Sequence, residues 1–80
     1  MSKFTASRLR WACRRGMLEL DLLFEHYLDE HYPHASPAEQ ALFERLLSES
    51  DQDLFDWLIH AKPTPDLCFV ELIKKLRKQA

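Results

Sequence analysis

Residues 17–31 read MLELDLLFEHYLDEH, and the spacing of their apolar side chains predicts one amphipathic helix. Its main stripe holds four side chains at three- and four-residue steps: Leu20, Phe24, Tyr27 and Leu28. Three further leucines widen that stripe: Leu18, Leu22 and Leu23. A helix that is apolar over so much of its circumference is expected to lie at the centre of a helical bundle.

The composition indicates an all-α fold. The 80 residues include one glycine and are 46% hydrophobic, with few β-branched side chains and many Leu, Ala, Glu, Arg and Lys. We therefore predict a single-domain bundle of five short helices, with an ordered core over about residues 6–78. A domain of this size has no room for a large enclosed cavity, so we expect binding to occur at its surface.

The first helix is predicted to run from Thr5 to Arg14. Its core-facing side chains follow helical spacing: Ala6, Leu9, Ala12 and Cys13. Gly16 comes next, and a lone glycine after two arginines suits the left-handed position that ends a helix. Arg14 and Arg15 then lie favourably near the negative end of the helix dipole.

A capping box marks the start of the third helix, which we predict over residues 37–49. Ser36 is the expected N-cap, Pro37 the first helical residue and Glu39 the third. The side chains expected to be buried are Leu42, Phe43, Leu46 and Leu47.

Two further helices follow. Asp51 is predicted to cap the fourth, which ends before Pro63 because proline lacks an N–H and clashes with the preceding turn. Its apolar residues are Leu54, Phe55, Trp57, Leu58 and Ile59. Asp66 is predicted to cap the fifth helix. The apolar stripe of that helix is Phe69, Leu72, Ile73 and Leu76.

Charge is divided unevenly along the chain. Residues 1–16 hold five bases and no acid, residues 17–57 hold eleven acids against Arg45, and residues 58–80 hold five bases and two acids. The acidic middle argues against binding to nucleic acid, because nearby carboxylates oppose phosphate contacts. The two basic ends could form one patch if the fold brings them together.

Several other features bear on location. No stretch reaches the roughly 18 apolar residues that cross a bilayer, and residues 1–5 lack the apolar segment of a signal peptide. We therefore predict a cytoplasmic protein without membrane insertion. Cys13 and Cys68 are expected to be reduced and to behave as small hydrophobic residues.

Catalytic and metal sites find little support in the residues. His26 and His31 are five positions apart, a step that points them to different sides of one helix, unlike the four-residue step of a zinc-binding pair. Cys13 lies in a basic stretch but on an apolar stripe, where burial makes a thiol inert. Loops that hold phosphate need several glycines.

Aromatic residues allow two interpretations, since they form both cores and binding hot spots. We assign Phe55 and Trp57 to the core, whereas Trp11 departs from the main stripe of its helix and could serve either role. A helix-turn-helix reading lacks a basic second helix, because only the first and last helices are basic.

Residues 14–21, RRGMLELD, place two arginines, the only glycine and two acids around a helix junction. One account is structural: a C-cap followed by acids in the first turn of the next helix. The other is functional. Gly16 lets the backbone of a partner approach closely, and Arg15 and Glu19 present opposite charges at a fixed separation.

The segment WACRRGMLELD, residues 11–21, resembles the RGxxE region of the FAD assembly factor SdhE family, also called YgfY or CptB. These bacterial proteins are relatives of the mitochondrial succinate dehydrogenase flavinylation factor. DQDLFDWL, residues 51–58, is similar to the second block of the family, D-x-D-L-F-x-W. The resemblance covers about residues 6–78.

This resemblance implies a five-helix protein that is not itself an enzyme. It implies binding to the flavoprotein subunit of succinate dehydrogenase, and often fumarate reductase, to promote covalent attachment of FAD to a histidine of that subunit. Because the sequence offers no phosphate-binding loop, we assign FAD to the client and predict that this chain binds no cofactor stably. We also predict that the free chain is a monomer. The implied partner-binding residues are Arg15, Gly16 and Glu19, with Arg14, Asp21, Arg8 and Trp11 as extensions.

Two other functions stay open at this point. The family has also been labelled the antitoxin half of a membrane-linked toxin–antitoxin pair, which predicts a toxin-neutralising binder. The third alternative is a small DNA-binding helical domain.

Overall fold

The computed structural model describes residues 6–79 and contains five α-helices in that part of the chain. They are α1 (Ala6–Ala12), α2 (Leu18–Glu30), α3 (Pro37–Leu46), α4 (Asp51–Leu58) and α5 (Val70–Arg77). Short 3-10 helices precede α3 (Tyr32–His34) and α5 (Leu67–Phe69). The predicted all-α fold is therefore confirmed. Thr5, the predicted first residue of α1, lies outside the described residues, and α3 ends three residues earlier than predicted because residues 47–49 form a turn.

Aromatic rings from α2 and α3 form one cluster at the centre of the core. Phe43 of α3 is fully buried, with its ring centroid 4.5 Å from that of Tyr27 and 6.1 Å from that of Phe24. The ring of Tyr32, from the first 3-10 helix, lies 5.7 Å from the Phe43 ring on centroids. Full burial of a side chain of this size contributes about 2–3 kcal/mol to stability. The main stripe predicted for α2 is thus confirmed as core.

Apolar side chains from α1, α3, α4 and α5, and from residues that adjoin these helices, complete the same core. The buried members are Leu9, Cys13, Leu46, Leu47, Leu54, Trp57, Leu58, Phe69, Leu72, Ile73 and Leu76. Leu42, Phe55 and Ile59 are partly buried and pack against this cluster. The core assignment of Trp57 is confirmed.

The widened stripe predicted for α2 is wrong in two positions. Leu18 is 70% exposed and Leu22 is 60% exposed, whereas Leu23 is buried. These two leucines share one side of α2 with Glu25 and Asp29, since residues 18, 22, 25 and 29 follow helical spacing. Helix α2 therefore packs on one side and leaves an apolar strip open on the other.

Capping agrees with prediction at α3 and differs at α4. Ser36 accepts a hydrogen bond from the Glu39 backbone N–H at 3.1 Å. The N-cap of α4 is Ser50, which accepts from the Asp53 N–H at 3.2 Å, and Asp51 is the first helical residue. Asp66 caps the 3-10 helix that leads into α5, accepting from the Cys68 N–H at 2.9 Å.

The Glu39 carboxylate binds elsewhere than a capping box predicts. It accepts a hydrogen bond from the buried Tyr27 hydroxyl and pairs with the Lys75 ammonium at 3.1 Å. One carboxylate thereby joins α2, α3 and α5. The bond from Tyr27, helped by Lys75, lowers the pKa of Glu39, while burial and the contact with Glu39 raise the pKa of Tyr27.

The acidic middle of the sequence supplies partners for the basic ends. Arg10 pairs with Asp29 at 2.6 Å, and the Lys75–Glu39 pair joins α5 to α3. The uneven charge distribution thus becomes a set of ion pairs between elements that are distant in sequence.

The two cysteines differ sharply. Cys13 is fully buried, and burial raises the pKa of its thiol to about 12, which confirms the core assignment. Cys68 is exposed in the 3-10 helix before α5, so its assignment as a small hydrophobic residue is wrong. Its neighbour Phe69 is buried, as the predicted apolar stripe of the fifth helix requires.

We expect Glu39→Gln to reduce the free energy of unfolding by about 1–2 kcal/mol at pH 7, because the charged acceptor is lost. The pKa of Glu39 is lower in the folded protein than its unfolded value of about 4.3. The ionised Glu39 carboxylate therefore stabilises the folded state at any pH above that unfolded value. The difference between wild type and variant should therefore shrink as pH falls through the folded pKa. Urea titrations from pH 7 to pH 2 measure it. Glu71→Gln, which removes the exposed partner of Lys74, is the control and should change little at any pH. A Glu39→Gln deficit that persists at pH 2 would contradict this account.

Thiol labelling tests the burial of Cys13. At pH 8, Ellman's reagent should modify one thiol of the native protein quickly and the second only after unfolding. Cys68→Ser should remove the fast reaction. Rapid labelling of native Cys68→Ser would show that Cys13 is accessible.

Candidate functional site

The predicted site residues surround the corner between α1 and α2. Helix α1 ends at Ala12, two residues before the predicted end at Arg14. The prediction that Gly16 occupies the C′ position of α1 is therefore wrong, and Gly16 lies within the loop that connects α1 to α2. Its φ of +78° confirms the predicted left-handed conformation. Nothing lies within 4 Å of the position that a Cβ would occupy, so this face of Gly16 is open. The requirement for glycine is therefore conformational, with free space beyond it.

The Asp21 side chain stabilises this loop through a hydrogen bond to its backbone. Its carboxylate accepts a hydrogen bond from the Arg15 backbone N–H at 2.7 Å, across the turn that contains Gly16. Asp21 is half-buried in the first turn of α2. The structure therefore gives this predicted binding residue a clear intramolecular role.

The Arg15 side chain extends from the loop to the junction between α3 and α4. Its Nη1 lies 3.1 Å from the Asp51 carboxylate at the start of α4, and its Nη2 donates to the Leu47 carbonyl at the end of α3. Only 16% of the side chain is exposed. Its buried Nε has no hydrogen-bond partner among the described residues. Arg15 thus connects the loop to the α3–α4 junction.

The remaining predicted residues are open to solvent. Trp11 is 74% exposed, which favours the interface alternative, and Arg8, Arg14 and Glu19 are exposed as well. The Arg14 backbone N–H donates to the Trp11 carbonyl at 3.1 Å. Within the described part of the chain, neither the Arg14 side chain nor the Glu19 side chain forms a hydrogen bond or ion pair. Glu19 lies in the first turn of α2, where a negative charge suits the helix dipole.

Sequence reasoning missed Leu18 and Leu22 as surface residues. They flank Glu19 on α2 and are exposed far beyond what a core leucine allows. The sequence does contain a signal for their exposure, because helical spacing places the acidic residues Glu25 and Asp29 on the same side of α2. We define the candidate face as the exposed residues at this corner: Trp11, Arg14, Gly16, Leu18, Glu19 and Leu22.

An open groove of about 710 Å³ continues from the candidate face between α2, α4 and the end of α5. Its apolar lining comes from Leu22 and Leu23 on one side and from Leu58 and Ile59 on the other. Charged side chains at its edge include Glu19 and Arg77. Such a lining suits the apolar side chains of another protein.

The histidines are arranged differently from the prediction. The rings of His26 and His31 lie 5.9 Å apart on centroids, because α2 ends at Glu30 and His31 adopts a non-ideal backbone with φ of −119°. In residues 6–79 no three His, Cys, Asp or Glu side chains gather as a metal site. No helix of the described chain is long and apolar enough to span a membrane.

Comparison with known proteins gives a consistent answer. A family model described as "flavinator of succinate dehydrogenase" matches residues 7–80. The FAD assembly factor SdhE of Idiomarina loihiensis is 48% identical over 67 residues, 84% of this chain and 74% of that protein. The proteins of the same name from Shewanella oneidensis and Colwellia psychrerythraea are 40% and 46% identical, covering 100% and 91% of this chain and 98% and 84% of their own lengths.

No solved structure matches the chain. The family model and the relatives give no support to the antitoxin or DNA-binding alternatives. The resemblance inferred from the RGxxE region is confirmed across nearly the whole sequence. The chain therefore belongs to the family described as flavinator of succinate dehydrogenase.

Proposed function

We propose that this chain binds the flavoprotein subunit of succinate dehydrogenase and promotes the covalent attachment of FAD to a histidine of that subunit. The observation that carries the proposal is the open corner at Gly16 and Glu19, in a chain whose relatives are FAD assembly factors. The family resemblance also implies a second client, the flavoprotein subunit of fumarate reductase.

The candidate face supplies the features of a protein interface. Trp11, Leu18 and Leu22 offer apolar area that a client can bury, and buried aromatic and apolar side chains provide most of the binding energy in such contacts. Arg14 and Glu19 add one charge of each sign, which favours one docking orientation over others. The adjoining groove extends the apolar surface along α2.

We propose that the chain acts by orientation and contributes no reacting group. Cys13, the thiol nearest to the candidate face in sequence, is buried, and its pKa is raised. A partner that binds one conformation of the client preferentially increases the population of that conformation. Holding a histidine and the flavin ring in register can by itself lower the barrier to bond formation substantially.

FAD is assigned to the client. Phosphate-binding loops use several glycines, and this sequence contains one. We further propose that the free chain is monomeric and acts in the cytoplasm, where its two free cysteines stay reduced.

Glu19→Ala should weaken binding to the purified flavoprotein subunit at least about tenfold, because it removes a charge at the centre of the candidate face. Calorimetric titration measures the affinity. The free energy of unfolding, obtained from thermal unfolding, should change by less than about 1 kcal/mol. Glu30→Ala, an exposed acid in the last turn of the same helix, is the matched control and should bind normally. Equal affinities for the two variants would exclude Glu19 from the interface.

At Gly16 two substitutions separate backbone strain from steric exclusion. Both Gly16→Ala and Gly16→Arg strain the positive φ, at a cost of about 1 kcal/mol in stability. Only the arginine projects far into the open space beside the loop. We expect Gly16→Arg to abolish binding and Gly16→Ala to retain most of it. Comparable binding by both variants would show that no partner approaches Gly16.

A further inference from the structure

Arg15 is the member of the RGxxE pattern that is least accessible to a partner. Its guanidinium is occupied by Asp51 and by the Leu47 carbonyl, and the side chain is 16% exposed. Gly16 and Glu19, in contrast, face solvent. The three residues therefore cannot all act in the same way.

The place where Arg15 ends suits a cation for two reasons. The Leu47 carbonyl lies at the negative end of α3, and Asp51 is an acid in the first turn of α4. A guanidinium can bind both at once through separate N–H groups. The Arg15 side chain therefore joins the loop to the junction of α3 and α4, which lies more than 30 residues away in sequence.

The same loop is held at its backbone by Asp21. The Arg15 N–H donates to the Asp21 carboxylate at 2.7 Å, one residue before the left-handed Gly16. Arg15 is thus fixed at both its backbone and its side chain. Gly16 follows Arg15 directly in the chain, so these backbone and side-chain bonds of Arg15 set the orientation of Gly16.

We propose that Arg15 is a positioning residue that orients Gly16 for the client, and that Asp51 completes this function from α4. This inference rests on the proposed function and extends it. Asp51 and the α3–α4 junction become part of the binding apparatus without touching the client. The second sequence block, which begins at Asp51, then contributes to binding through Arg15.

Asp51→Ala tests the proposal, with Asp53→Ala as the matched control. Both substitutions remove one exposed acid from the first turn of α4, so both lose the same favourable contact with the helix dipole. Only Asp51 pairs with Arg15. We expect Asp51→Ala to weaken binding to the flavoprotein subunit about tenfold and Asp53→Ala to bind as wild type does. Equal binding by both variants would overturn the proposal.

A double-mutant cycle separates positioning from direct contact. If Arg15 acts through Asp51, adding Asp51→Ala to Arg15→Gln should cause little further loss of affinity. If Arg15 touches the client directly, the two losses should multiply, and the proposal fails.

A readout without client keeps this inference separate from the proposed function. The sequence has a single glycine, so its amide signal in a nitrogen–proton NMR spectrum reports on Gly16 alone. Asp51→Ala should shift that signal clearly more than Asp53→Ala does. An unmoved Gly16 signal would refute the positioning role of Arg15 and Asp51. A shifted Gly16 signal, in a chain whose wild type does not bind the flavoprotein, would refute only the proposed function.

Discussion

The structure depends on the packing of one side of α2 against Phe43. The rings of Phe24 and Tyr27 meet the Phe43 ring in a fully buried cluster. Interiors of this density permit little sliding, so the cluster fixes the rotation of α2 about its own axis. Glu39 of α3 also bonds to Tyr27 and Lys75, and these bonds connect α2 to α3 and α5. Once one side of α2 is fixed, the other side is fixed as well.

The proposed binding surface follows from this constraint. Leu18, Glu19 and Leu22 occupy the side of α2 away from the Phe43 cluster and are held there before any partner arrives. A preorganised surface loses less conformational entropy on binding, which favours affinity in a domain too small for an enclosed pocket. The loop at Gly16 receives comparable support from Asp21, Asp51 and Leu47. The proposed site is thus an open corner of the molecule and not an enclosed pocket.

The sequence predicted features that depend on local chemistry. Ser36 as an N-cap and Gly16 at positive φ follow from neighbouring residues alone, and both are confirmed. Features that depend on tertiary contacts were missed. Helical periodicity cannot distinguish a leucine that faces the core from one that faces a partner, so Leu18 and Leu22 were assigned to the core. The Arg15–Asp51 pair spans 36 residues, and no local pattern predicts it. The roles of Gly16 and Glu19 in client binding stay predictions.

The central claim is that this chain promotes flavin attachment to succinate dehydrogenase. The most direct test is flavin fluorescence of the dehydrogenase flavoprotein in a denaturing gel, from cells with and without the gene, at matched amounts of flavoprotein. Covalent flavin survives denaturation, whereas free flavin is lost. We predict a marked loss of fluorescence without the gene and its recovery when the gene is restored. Unchanged fluorescence in cells lacking the gene would contradict the claim.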